Sequence, residues 1–198
     1  VIAIEAEDGS VDDDAVRSVD ELLTKKSSGH EDDVYRPGST AAALESAPEA
    51  NVVIISLPGA YATREARKAL LADRHVMLFS DNVSLADEVK VKRLARERGV
   101  LMMGPDCGTA IINGRPLCFA NVVPRGPIGI VSASGTGLQE VSSLIARFGS
   151  GVSQAIGTGG RDLKSVEVGG ITTLMAIEAL SNDPQTEVIA VISKPPAE

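Results

Sequence analysis

Aromatic residues are nearly absent from this chain. Its 198 residues include three Phe, two Tyr and no Trp. A chain that is 43% hydrophobic without aromatic bulk must fill its core with Val, Ile, Leu and Ala, a composition suited to buried parallel strands covered by helices. The shortage of rings also leaves no stacking platforms for bases. The formal net charge of −8 repels a phosphate backbone, so nucleic acid is excluded as an expected partner. No apolar run approaches the ~18 residues a membrane span needs, and no signal peptide is visible, so no membrane partner is expected. Cys107 and Cys118 are the two cysteines, too few for a disulfide framework; a reduced, cytoplasmic setting is the default expectation. The two histidines, His30 and His75, sit in a polar loop and at the start of an apolar run, with no catalytic context. No His/Cys cluster has metal-ligand spacing. Asp12-Asp13-Asp14 lacks the glycine and closing Glu of a calcium loop; no metal site is expected.

What is present is alternation. Val1–Glu5 reads as a strand and Val11–Lys26 as a helix, apolar at Val16, Val19, Leu22 and Leu23. The polar stretch Ser27–Gly38 reads as a loop. Strand signals follow at Val52–Ser56, Val76–Phe79 and Val100–Met103, with helices at Ala60–Asp73 and from Ser84 to about Arg98. Asp87 and Glu88 suit the positive start of that last helix; Lys92, Arg93, Arg96 and Arg98 suit its end. Asn113-Gly114 marks a hairpin, and Pro124–Pro127 a connector between domains. A second series has strands at Ile128–Val131, Val152–Ile156 and Val188–Ile192, and helices at about Leu138–Phe148 and Ile171–Leu180. Such alternation predicts parallel sheets, with ligands beyond the carboxyl ends of the strands. The chain opens inside a strand at Val1 and closes just after another at Glu198, so both ends read as cuts in a longer protein.

That rule directs attention to the loops. Ser132-Ala133-Ser134-Gly135-Thr136-Gly137 joins a strand to a helix. Its glycines and hydroxyls, with the helix end, suit phosphate or carboxylate; it reads equally as a turn with Ser134 or Thr136 as helix cap. In Gly157-Thr158-Gly159-Gly160-Arg161-Asp162, Arg161 can grip an anion with two parallel bonds and Asp162 can orient Arg161 or a nucleophile. A surface ion pair at a loop tip is the alternative. Lys194 follows the last strand and is expected at the same sheet edge, as a third charge or as a solvated lysine. Cys107, in Gly104-Pro105-Asp106-Cys107-Gly108-Thr109, is a packing residue unless a helix end lowers its pKa.

As a set, these segments resemble the succinyl-CoA synthetase α-subunit and ADP-forming acyl-CoA synthetase superfamily. Gly104-Pro105-Asp106-Cys107 is similar to that family's Gly-Pro-Asn-Cys loop, and Ser132–Thr136 to its Ser-x-Ser-Gly-Thr loop. Gly157–Gly160 is similar to its Gly-x-Gly-Gly loop, and Asp183–Thr186 to its Asp-Pro-x-Thr turn. Phe79–Val83, Met103–Thr109, Gly159–Leu163 and Ser193–Glu198 resemble the FdrA-type branch. The resemblance implies an α/β fold: a Rossmann-like CoA-binding-type domain over 1–123 and an incomplete flavodoxin-like domain over 127–198. It implies phosphate contacts at Ser132, Ser134, Gly135, Thr136, Gly159 and Gly160, cofactor contacts at Pro58, Asn82, Asp106 and Cys107, and catalytic work for Arg161, Asp162 and Lys194. The FdrA branch implies a phosphate-dependent carbamoyltransferase of several subunits, converting oxalurate and phosphate to oxamate and carbamoyl phosphate in allantoin nitrogen use. Phosphate is then a co-substrate, the substrate a small anion, and other protein subunits are partners; the nucleotide is not specified.

Two departures bear on the choice. Glu7, Asp8 and Asp12–Asp14 occupy the place of the ligases' glycine-rich CoA loop; CoA fits the resemblance, but these acids would repel its phosphates. Lys194 falls near the place of a glutamate that supports the ligases' phosphohistidine. An ADP-forming acyl-CoA ligase and a non-catalytic binding module are the alternative expectations.

Overall fold

The structure, a computed structural model, describes residues 16–18, 21, 36–193, 195 and 197. Residues 1–36 and 37–198 form separate compact units. In the first, Val16–Ser18 and Glu21 are helical; the predicted strand Val1–Glu5, the acidic loop and the rest of the predicted helix lie outside the described residues.

The second unit begins with a short helix α1 (Thr40–Ser46) capped by Ser39, absent from the sequence reading. A three-stranded parallel sheet follows, in the order β1 (Val52–Ile55), β2 (His75–Leu78), β3 (Met102–Met103). Helix α2 (Gly59–Leu71) joins β1 to β2 and buries Ala62, Ala66, Ala69 and Leu70. That spacing places one stripe on the sheet. Helix α3 (Leu85–Arg98) joins β2 to β3. Ser84 caps it by accepting from Asp87 N, and Gly99, at φ 68°, ends it. Its buried stripe is Glu88, Val91, Lys92 and Ala95. The spacing is that of a core face, yet half of it is charged.

The second sheet runs β5 (Arg115–Cys118), β4 (Thr109–Ile112), β7 (Val152–Gly157), β6 (Ile128–Ser132), β8 (Val188–Ile192). β7, β6 and β8 are mutually parallel. Helix α4 (Gly135–Arg147) follows β6, and α5 (Ile171–Ser181) precedes β8. The β4–β5 hairpin turns at Asn113 and Gly114, with φ of 50° and 73°, as the sequence signal requires. The hairpin does not extend the first sheet: β4 lies antiparallel to β7, pairing Ile111 with Ala155. A boundary drawn at residues 124–127 therefore leaves a strand pair of the second sheet on the first side. One hydrophobic cluster also spans both sheets, joining Met77 and Met103 to Val131, Ile156, Ala176 and Leu180.

Candidate functional site

The carboxyl ends of the strands of both sheets open onto one cleft of about 600 Å³. Its walls come from Ser56–Pro58 after β1, Phe79–Asp81 after β2, Asp106, Gly108 and Thr109 after β3, and Ala133–Thr136 after β6, with Gly160 after β7. Phe79 and Phe119 meet edge to face in this wall, ring centres 5.3 Å apart. The parallel topology thus assembles these loops, as alternation predicted.

Ser134 caps α4, its Oγ accepting from Gly137 N at 3.1 Å. The capping reading of this residue and the anion reading of its loop are compatible. Helix geometry leaves the amides of Gly135 and Thr136 without intrahelical acceptors, and both residues line the cleft. Ser132 lies deeper, 2% exposed. Its Oγ donates to Ser134 O and accepts from Ser134 N, shaping the loop.

The loop after β7 behaves differently. A Cβ on Gly157 would lie 2.5 Å from Cys107 Sγ and 2.6 Å from Thr109 O; one on Gly159, at φ 85°, would lie 2.4 Å from Pro105 O. These glycines let the 157–160 backbone press onto the 104–109 loop. Gly159 does not line the cleft, whereas Gly160 does. Cys107 is sealed beneath this contact, its thiol 3.5 Å from Gly157 O, and burial pushes its pKa up to about 12. It packs as a buried residue, and burial disfavours its thiolate.

Asp162 is fully buried. Its Oδ1 faces Lys92 Nζ at 2.6 Å and accepts from Thr172 N; its Oδ2 accepts from the Thr173 amide and hydroxyl. It therefore supplies the side-chain cap that Gly170, at the start of α5, cannot. It contacts neither the cleft nor Arg161. Lys92, also fully buried, donates to Asp162 Oδ1 and to Thr158 O at 2.9 Å, and pairs with Glu88 Oε1 at 3.0 Å. Glu88 Oε2 in turn faces Arg161 Nε at 2.7 Å. The Glu88 contacts are ionic rather than well-directed hydrogen bonds. Two buried anions, Glu88 and Asp162, thus share the buried Lys92, and the half-exposed Arg161 supplies the second cation from the surface.

Arg161 Nη2 donates to Val83 O at 2.9 Å, and the side chain, 42% exposed, lines a recess of about 500 Å³ with Asn82, Ser84 and Asp106. Asp81, Asp106 and Gly160 line both spaces. Of the predicted residues, Ser134, Gly135, Thr136, Gly160, Pro58 and Asp106 face the cleft, while Asn82 and Arg161 face the recess. Ser132, Gly159, Cys107 and Asp162 lie behind the surface, and Lys194 falls outside the described residues. The burial of Glu88 and Lys92 escaped the sequence reading, in which they only suited the two ends of the helix dipole. Among the described residues no His, Cys, Asp or Glu group is arranged to hold a metal, and no helix is long and apolar enough to cross a membrane.

Two linked α/β sheets whose strand-to-helix loops open onto one cleft give a mixed α/β fold found in succinyl-CoA synthetase-like proteins. Solved structures agree. ATP citrate lyase from Methanothrix soehngenii, in complex with citrate and coenzyme A, superposes with a TM-score of 0.59 at 20% identity, over 78% of this chain and 31% of that one. A dinucleotide-forming acetyl-coenzyme A synthetase 1 from Ca. Korarchaeum cryptofilum gives 0.56 at 19% identity, over 74% and 32%. In sequence, the chain is 56% identical to the uncharacterized Escherichia coli protein YahF over all 198 residues, which cover 38% of that protein. It is 31% identical to the α subunit of the ADP-forming succinate–CoA ligase of Aquifex aeolicus over 151 residues, 73% of this chain and 48% of that one. The chain is thus distantly homologous to succinate–CoA ligase α subunits and spans half or less of the curated relatives named here. No protein-family model matches it.

Proposed function

We propose that this chain forms part of an enzyme that transfers an acyl-type group to phosphate, with phosphate held at the start of α4. One observation carries the reading: the free amides of Gly135 and Thr136 open onto the cleft beside the hydroxyls of Ser134 and Thr136. Amides at a helix start suit an anionic reactant and can also stabilise a developing oxyanion. Arg161, in the adjoining recess, is the cation placed to take a substrate carboxylate. Asp81 and Asp106 line both spaces, where their carboxylates can accept from the N–H groups of a substrate.

Within that chemistry, the FdrA-like motifs support carbamoyl transfer. A phosphate oxygen attacks the carbamoyl carbon of oxalurate, the bond to the oxamate nitrogen breaks, and that nitrogen takes a proton. Carbamoyl phosphate and oxamate leave. Incubating the full-length protein and its partner subunits with oxalurate and labelled phosphate tests this; labelled carbamoyl phosphate is expected, and its absence from a folded assembly rejects the reading.

A second reading is an ADP-forming acyl-CoA ligase, favoured by the homology to succinate–CoA ligase α subunits. It predicts that the same assembly binds CoA and forms an acyl-CoA with ADP release. Calorimetry with CoA separates the two.

A further inference from the structure

Glu88 and Lys92 belong to α3, on the first-sheet side, and neither touches the cleft. Yet each bonds a residue of the loop after β7. Lys92 holds the loop at both ends, through Thr158 O and Asp162 Oδ1, and Gly160, between those points, lines cleft and recess alike. Glu88 takes Arg161 Nε while Val83 O takes Arg161 Nη2, so two edges of the guanidinium are fixed and the remainder is left on the recess wall. Burying a carboxylate and an ammonium costs stability that packed aliphatic side chains on this helix face would not. The pair sits where the orientation of a charged loop is at stake.

We propose that Glu88 and Lys92 are positioning residues: they fix the Arg161 guanidinium over the recess and the Gly160 backbone at the cleft edge, so that carboxylate recognition on the second-sheet side depends on a helix of the first. The inference rests on the proposed function, in which Arg161 meets a substrate carboxylate. Phosphate, placed at α4, has no contact with Arg161 in this reading and meets the device only through Gly160 at the cleft edge.

The test is calorimetric titration of the full-length protein with oxamate and, separately, with inorganic phosphate. E88Q and R161Q are each expected to weaken oxamate binding about tenfold, the scale of losing one charge-assisted hydrogen bond, and to leave phosphate affinity within about twofold. The E88Q/R161Q double variant should bind oxamate no more weakly than R161Q, since Glu88 acts through Arg161. Should E88Q not fold, E88D keeps the charge opposite Lys92 while drawing the carboxylate back from Arg161, and should show the same selective loss. Oxamate affinity unchanged in the folded variant, additive losses in the double variant, or equal loss of both ligands each overturn the proposal. Wild-type protein that binds phosphate but not oxamate fails the underlying Arg161 reading instead, and the positioning proposal falls with it.

Discussion

The loops after β6 and β7 are built from the same materials: glycines, hydroxyls, and a following helix whose start they help to form. In the first, Ser134 satisfies its own helix locally, through Gly137 N, and the first turn of α4 stays open to the cleft. In the second, the helix cap comes from Asp162, which precedes the α5 start at Gly170 by eight positions, and that carboxylate is tied to Lys92 on another element. The glycines differ in the same way. A methyl group added to Gly135 would meet Thr109 Oγ1 at 3.2 Å, whereas one added to Gly157 would be pressed against backbone and sulfur at about 2.5 Å. A local cap leaves a loop free to serve a ligand. A cap made at long range ties most of its loop into the interior and leaves Gly160 and Arg161 at the surface.

The sharpest way to break this contrast is to remove the buried cation. Lys92→Met leaves Asp162 and Glu88 without their shared partner, and about 3–5 kcal/mol of stability should be lost, read from urea unfolding. A loss below about 1 kcal/mol would mean that the second loop is not held as described. Next is Gly157→Ala, expected to cost about 1–3 kcal/mol by overpacking, whereas Gly135→Ala should stay within about 1 kcal/mol. Equal effects in thermal denaturation would erase the distinction between the loops. Ser134→Ala should cost about 1 kcal/mol as a lost cap and also weaken phosphate binding, a coupling expected only of the open loop.

The smallest effect lies at the opposite end of the first sheet. His75, at the start of β2, is half-buried, and its Nδ1 accepts from Leu101 N at 2.9 Å. Burial pushes its pKa below the ordinary 6.5. The folded state therefore favours the neutral ring. Its contribution to stability is present above the unfolded value of 6.5 and is lost as the pH falls from there through the lower folded value. Melting temperature should decline over that window, and His75→Gln should flatten the decline without altering phosphate affinity at neutral pH.

Much of the fold was legible from local pattern. The Ser84 cap, the Asn113–Gly114 turn and the α4 loop rest on interactions within a few residues of one another, and the strands Val52–Ile55 and Val188–Ile192 showed as apolar runs although their ladders pair with β2 and β6 far along the chain. The site was legible to the same range. Ser134 through Thr136 could be placed because a strand, a glycine loop and a helix start adjoin in sequence. Asp162 could not, because its partners Lys92, Thr172 and Thr173 are 70, 10 and 11 positions away.

Composition and periodicity by themselves determined an aliphatic, alternating α/β chain with its strand-to-helix loops gathered at the carboxyl ends of the strands, since these follow from side-chain size and the repeat of helix and strand. Only the tertiary structure decided which loop faces the cleft, where the hairpin pairs, and that Glu88 and Lys92 lie inside. Those outcomes depend on which distant surfaces exclude water together, and the spacing of charges along one helix carries no record of that.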